Sequence, residues 1–477
     1  MTFFSWHGFR SGRAAAALAL FLLPHFAHAG VHRYEIIVDG GLDRFKVHAC
    51  FEGKAPSTLA AESDGARFYL ESMRVGDRSL EPEGDRVTLG AVPDNTCVDY
   101  TVKLDPAKGA AQSGGTETRR IGGGMLTAIG DWLWRTPDAD ASLELRFRVP
   151  QGIEVSTPWQ RELDAQGRAF FTAGPTPANW PGIVAFGHFK PRDIEVPGAV
   201  IHVALMSLDT PAYEEKFVRW ITGAARNAAQ LHGRFPVASL QIVVAPTPRG
   251  RGPVPWAYVS RGGGPAIHLF VNATRPVEEF EQDWSLTHEM SHLFLPYVVS
   301  RDAWLYEGVP TYLQNELMAR GGAITADEAW RRMQSGFVKG AAVAPGLSVV
   351  RANERVAFGG VYLRVYWAGA AMMLAADLQL RADSGGTQSL DSALEQLARC
   401  CATEYRRWTA AEVMARLDEL TGTTIFSDVM RAQLVAEGFP DYRSTFGKAG
   451  IDISQAGVQF DAAAPWAAAA EATMRPR

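Results

Sequence analysis

Residues 284–294 read Trp-Ser-Leu-Thr-His288-Glu289-Met-Ser-His292-Leu-Phe, which contains the pattern H-E-x-x-H. On a helix, positions four apart share a face, so His288 and His292 can aim at one atom. Two imidazoles presented that way suit a divalent metal, and zinc is the usual one. Glu289 leaves the helix at another angle, placed to take a proton from a water rather than to ligate. A helix carrying these residues needs surrounding structure that buries it and leaves one side open. The same pattern also arises by chance, so it requires support elsewhere in the chain.

At 477 residues the chain exceeds one ordinary domain, and two or three are expected. A hydrophobic share of 47% and a charged share of 21% are typical of globular proteins. The first residues read as an export signal: Arg10 and Arg13, an apolar run from Ala14 to Leu23, then Ala27-His28-Ala29 before Gly30. That run is too short to span a bilayer, and no later stretch is long enough. Export to the periplasm or the medium, as a protein with no stable membrane insertion after cleavage, is the expectation. Removing residues 1–29 takes the formal charge from −5 to −7, and nothing in that balance points to nucleic acid or an anionic membrane. Cys50 and Cys97 lie in strand-like text and are free to pair in an oxidising compartment. For the adjacent Cys400 and Cys401, a vicinal disulfide and two free thiols are both open. None of the four has zinc-site spacing, so all are read as structural.

Residues 30–207 are rich in short alternating runs, such as Tyr34-Glu-Ile-Ile-Val and Cys97-Val-Asp-Tyr-Thr-Val. Turn residues separate them, and an all-β sandwich is the simplest architecture. His48 and His202 sit in such runs as ordinary strand residues. Past a boundary near Ser207 the period changes. Residues 213–232 carry a helical apolar stripe, strands follow at 240–245 and 266–271, and from Glu278 the text is mostly helical. The spacing predicts helices over 304–320, 326–337, 361–381, 390–397, 410–420 and 426–437. The Ala-rich stretch 451–477 reads as a frayed tail.

A catalytic zinc takes three protein ligands and keeps one position open. The third is expected from Trp304-Leu-Tyr-Glu307-Gly-Val-Pro-Thr311, where Glu307 stands at the mouth of a helix. Thr311, one turn on, is placed to hydrogen-bond a ligand. H-E-x-x-H followed by W-L-x-E-G resembles the gluzincin metallopeptidases, in particular the glycyl aminopeptidase-like and aminopeptidase N-like branches. Tyr366-Trp-Ala-Gly369 and the helical text after it, through Arg381, resemble a further family helix, and the likeness covers roughly residues 200–450. It implies an α+β chain. A signal peptide (1–29) would precede a β-sandwich-like N-terminal domain (30–207), a thermolysin-like α/β plus helical metallopeptidase domain (208–450) and the tail (451–477). It further implies one Zn2+ held by His288, His292 and Glu307, with Glu289 as general base. Tyr366 would donate a hydrogen bond to the developing oxyanion. Peptides or proteins would be the substrates.

Three departures from the family pattern stand out, one of them Ala368 where the family often has Lys. The loop between His292 and Glu307 is shorter than is usual in aminopeptidase N-like enzymes. Those enzymes also use a strand glutamate to hold the substrate's free amine, and the corresponding place here, read as Gly262 to His268, has no carboxylate. The choice between exo- and endopeptidase action therefore stays open. A zinc-bearing peptide-binding or scaffold protein with little turnover is the competing reading. A third is an adhesin whose β-domain carries a helical accessory region. The oligomeric state is not encoded in any feature of the sequence.

Overall fold

The structure is a computed structural model that describes residues 30–63, 65–105, 118–137, 141–248, 250–402 and 406–477. The proposed export signal, residues 1–29, lies outside them.

The N-terminal part is built from two main sheets. An eight-stranded sheet centres on the strands Val31–Val38 and Arg44–Phe51, whose alternating burial follows the period-2 pattern of the sequence. A four-stranded sheet is formed by Glu154–Ser156, Ile183–Gly187, Gly124–Ala128 and Arg119–Ile121. Met125, Val184 and Phe186 join the core of the large sheet. The intervening Leu126, Ile183 and Ala185 face the other way and pack on Ala204, Val243 and Phe270 of the next unit. Both faces of the small sheet are covered, which is why its central strands read as unbroken apolar runs. Cys50 and Cys97 oppose one another in register and are disulfide-bonded. Cys400 and Cys401 are also bonded to each other.

The second unit opens with a five-stranded sheet, in the order Arg192–Val196, Ala199–Leu205, Ser239–Pro246, Ala266–Val271, Trp256–Ser260. Its first two strands precede the boundary expected near Ser207. They alternate like their predecessors, so composition alone gives no sign that they pair onward. The three middle strands are parallel, and the helix Pro211–Ala229 supplies the first crossover between them. Trp256–Ser260 was not anticipated as a strand. It pairs antiparallel with Ala266–Val271 and ends the sheet, and among the described residues no strand pairs with its outer edge.

The helical part follows. The segment read as one helix over 304–320 is two, Ala303–Tyr306 and Gly308–Arg320, with Glu307 at the junction. Pro310 has no N–H to return to the Tyr306 carbonyl, which breaks the ladder there. The later helices run Ala326–Ala342, Tyr362–Asp383, Leu390–Cys401, Ala410–Thr421 and Ile425–Leu434.

The expectation of a frayed tail is corrected. Residues 451–477 form a hairpin, Ile451–Ser454 with Gly457–Phe460, and a helix, Ala467–Thr473. Ala470 and Thr473 are fully buried, and Arg320 donates through Nε to the Thr473 carbonyl at 2.7 Å. Alanine is the strongest helix former, and its small side chain lets this helix dock closely.

Candidate metal centre

The helix Ser285–Ser291 is buried along its whole length. The Asp283 carboxylate accepts from the Ser285 N–H at 2.8 Å and caps its start. His288 and Glu289 lie on it, and His292 begins the 3-10 turn that closes it. Arg261 steadies that end: its guanidinium donates to the carbonyls of His292 at 2.7 Å and Leu295 at 3.0 Å. Helix ends leave such carbonyls without intrahelical donors.

Glu307 comes from the broken helix opposite. Two glycines allow the approach. A Cβ on Gly308 would stand 2.6 Å from the Gly369 Cα, and one on Gly369 would stand 1.8 Å from the Trp304 carbonyl oxygen. The Glu307 segment and the Tyr362–Asp383 helix therefore cross in near backbone contact. That crossing carries Tyr366 into the cleft shared by His288, Glu289, His292 and Glu307.

Glu307 Oε2 lies 3.2 Å from His288 Nε2 and 3.5 Å from His292 Nε2. The three donor atoms fall within 4.8 Å of one another. Tetrahedral zinc with ligands at 2.0–2.1 Å requires donors about 3.3 Å apart, so this set fits. His288 Nδ1 meets Gln314 Oε1 at 2.9 Å, which places the proton on Nδ1 and turns the Nε2 lone pair toward Glu307. Thr311, which the sequence places to hydrogen-bond a ligand, is not this partner. Both residues lie on the face of the helix that follows Glu307, and Gln314 has the longer reach.

Burial dominates the electrostatics. Desolvation pushes the Glu289 carboxyl up to about 7, with His288 opposing and the Glu307 charge assisting. Glu307 is desolvated too, yet the imidazoles of His292 and His288 hold it well below the usual carboxylate range. Burial raises the Tyr366 phenol, and the charges of Glu307 and Glu289 add to that, so it stays a neutral donor. The ring of Tyr306 lies 4.3 Å from that of His292 and walls the site; no sequence signal separated it from a core aromatic.

The strand bordering this cleft of about 430 Å³ is Trp256–Ser260, and not the segment Gly262 to His268 suggested by the sequence. Gly262 and Gly264 pack against Pro181 and Pro158, and His268 is buried with its Nε2 3.0 Å from Ser260 Oγ. The bordering strand also lacks a carboxylate. His48 and His202 sit beside Asp99 and Asp193, away from the cleft. His48 groups with Cys50 and Cys97, but those sulfurs are joined to each other.

No protein-family model and no curated protein matches the chain. Solved structures do. The chain is similar to an aminopeptidase N family protein from Idiomarina loihiensis, with a TM-score of 0.66 and 16% identity over 88% of this chain and 78% of that one. It is also similar to an M1 zinc metallopeptidase from Deinococcus radiodurans, with a TM-score of 0.55 and 14% identity over 87% of this chain and 95% of that one. The fold is that of the M1 metallopeptidases. A mutant of the Deinococcus enzyme is known bound to a Tyr-Ser-Ala substrate, and it aligns with a TM-score of 0.54. In this chain the M1 fold carries both the β-rich N-terminal part and the helical C-terminal part.

Proposed function

We propose that the chain is an exported zinc metallopeptidase that hydrolyses peptide bonds. The observation that carries this reading is the convergence of His288, His292 and Glu307 within one buried cleft, beside Glu289 and an open strand edge. The peptide bound by the Deinococcus relative is consistent with peptide substrates here. One zinc ion held by the three side chains would supply Lewis acidity at the scissile carbonyl and lower the pKa of a water toward about 7.

The remaining work falls to the chain. An extended peptide adds to the Trp256–Ser260 edge through backbone hydrogen bonds, which position the scissile bond without demanding particular side chains. Glu289 accepts the proton of the attacking water and delivers it to the leaving amine. Tyr366 donates to the carbonyl oxygen as negative charge gathers there. Gln314 holds His288 in the tautomer that leaves Nε2 free to ligate. Export is supported by the pattern at residues 10–29 and by two disulfides, which persist in oxidising compartments. Among the described residues, no helix is long and apolar enough to cross a membrane.

The test is a peptide-library digest by the mature protein, with product termini mapped. Cleavage should disappear with a chelator and fall at least about 100-fold in Glu289→Gln, while that variant keeps its zinc. Zinc-loaded protein that cleaves nothing would favour the competing reading, a peptide-binding protein with little turnover, for which the missing strand carboxylate already speaks.

A further inference from the structure

Next to the catalytic cleft lies a second, larger groove of about 800 Å³. The two adjoin: Trp284 and Tyr366 line both. One wall is the helix Ala326–Ala342, which presents Arg331, Ser335 and Lys339 at four-residue intervals along a single stripe. Gly336 on the same helix lets it sit against Trp367, since a Cβ there would fall 2.3 Å from that ring.

The groove holds three acids and three bases, but they are not equally committed. Glu328 is paired with Arg332 at 2.7 Å and Glu279 with Arg275 at 2.6 Å. Asp283 caps the metal-motif helix. Among the described residues Arg331 and Lys339 have no ion pair or hydrogen bond, and both line the groove. Two uncommitted cations about 12 Å apart along a helix therefore line a space that adjoins the catalytic cleft.

The sheet edge sets the direction in which a peptide would reach them. Antiparallel pairing is the commoner arrangement, and the edge strand already pairs that way with its inner neighbour. A peptide lying antiparallel to Trp256–Ser260 runs its C-terminal portion past the start of that strand, where Pro253 enters the lining of the basic groove. Its N-terminal portion points toward Ser260. The only acids lining the catalytic cleft, among the described residues, are Glu289 and Glu307, and both are engaged in the chemistry proposed above. Among the described residues the cleft thus leaves no uncommitted acid for a free amine, while the groove offers two uncommitted cations to an anion.

We propose that Arg331 and Lys339 are specificity-determining residues that receive an anionic group on the C-terminal side of the scissile bond. The group is a carboxylate, belonging to an acidic side chain or to the end of the peptide. This rests on the metallopeptidase reading, and the test separates the two.

Binding of labelled peptides to the zinc-loaded Glu289→Gln protein is measured by fluorescence anisotropy, with cleavage by the unsubstituted protein followed in parallel. One peptide is neutral and C-terminally amidated, a second is the same with an internal Glu, a third ends in a free carboxylate, and a fourth carries Lys in place of the Glu. The anionic peptides should bind roughly 10-fold tighter than the neutral one, as one charge-assisted contact allows. The comparison of the second and third peptides identifies the source of the carboxylate. Arg331→Ala with Lys339→Ala should close the gap, and Arg331→Glu with Lys339→Glu should turn the preference to the Lys peptide. Equal affinities, no binding at all, or a preference that survives charge reversal would overturn the proposal. Selective binding with no cleavage by the unsubstituted protein would uphold the groove and remove the peptidase reading.

Discussion

His288 is held from both sides, by Glu307 at Nε2 and by Gln314 at Nδ1. The second contact does not ligate, yet it fixes which nitrogen can. Replacing Gln314 with Ala should weaken zinc binding about 10- to 100-fold, measured by competition with a chromophoric chelator, with little change in the folded structure. An unchanged affinity would mean the tautomer is set by the site itself. The clustering of His288, His292 and Glu307 was legible because H-E-x-x-H is a local spacing that sets two imidazoles on one face, and because Glu307 stands at a helix mouth in a segment that resembles the gluzincin W-L-x-E-G. Gln314 was not, because 26 positions separate it from His288 and helical periodicity alone admitted Thr311 equally. Arg261 was missed for a similar reason. Its role is to meet two backbone carbonyls, and backbone partners leave no mark in a sequence.

At the scale of elements, the site depends on a helix crossing. The W-L-x-E-G glycine, Gly308, and Gly369 face one another where the Glu307 segment meets the Tyr362–Asp383 helix. Gly369→Ala places a methyl group into the Trp304 carbonyl, and the helices must separate. The expected cost is about 1–3 kcal/mol or more in urea unfolding, with zinc affinity falling as Glu307 moves away. A stable variant with unchanged zinc affinity would show that the crossing does not set the position of Glu307. Periodicity located most of these helices, missing chiefly at their ends. It failed at Glu307, where a single proline divides one apolar pattern into two helices, and at Trp256–Ser260, a five-residue strand hidden between prolines and glycines.

Over the whole molecule, coverage decides what composition could not reveal. The four-stranded sheet is buried on both faces and joins the N-terminal β-structure to the five-stranded sheet of the second unit. The C-terminal helix docks its alanines against the helical part and satisfies Arg320. Ending the chain after Gly450 should lower stability by roughly 2–4 kcal/mol, through lost apolar burial and an orphaned guanidinium donor. Unchanged thermal unfolding would return that segment to the status of a loose tail. The larger claim is that two separate helical segments close on one ion. Its most direct test is the zinc content of the purified mature protein after dialysis against trace zinc, beside that of Glu307→Ala. One ion per chain in the first and almost none in the second is the expected result. A full complement of zinc in Glu307→Ala, or none in the unsubstituted protein, would contradict it.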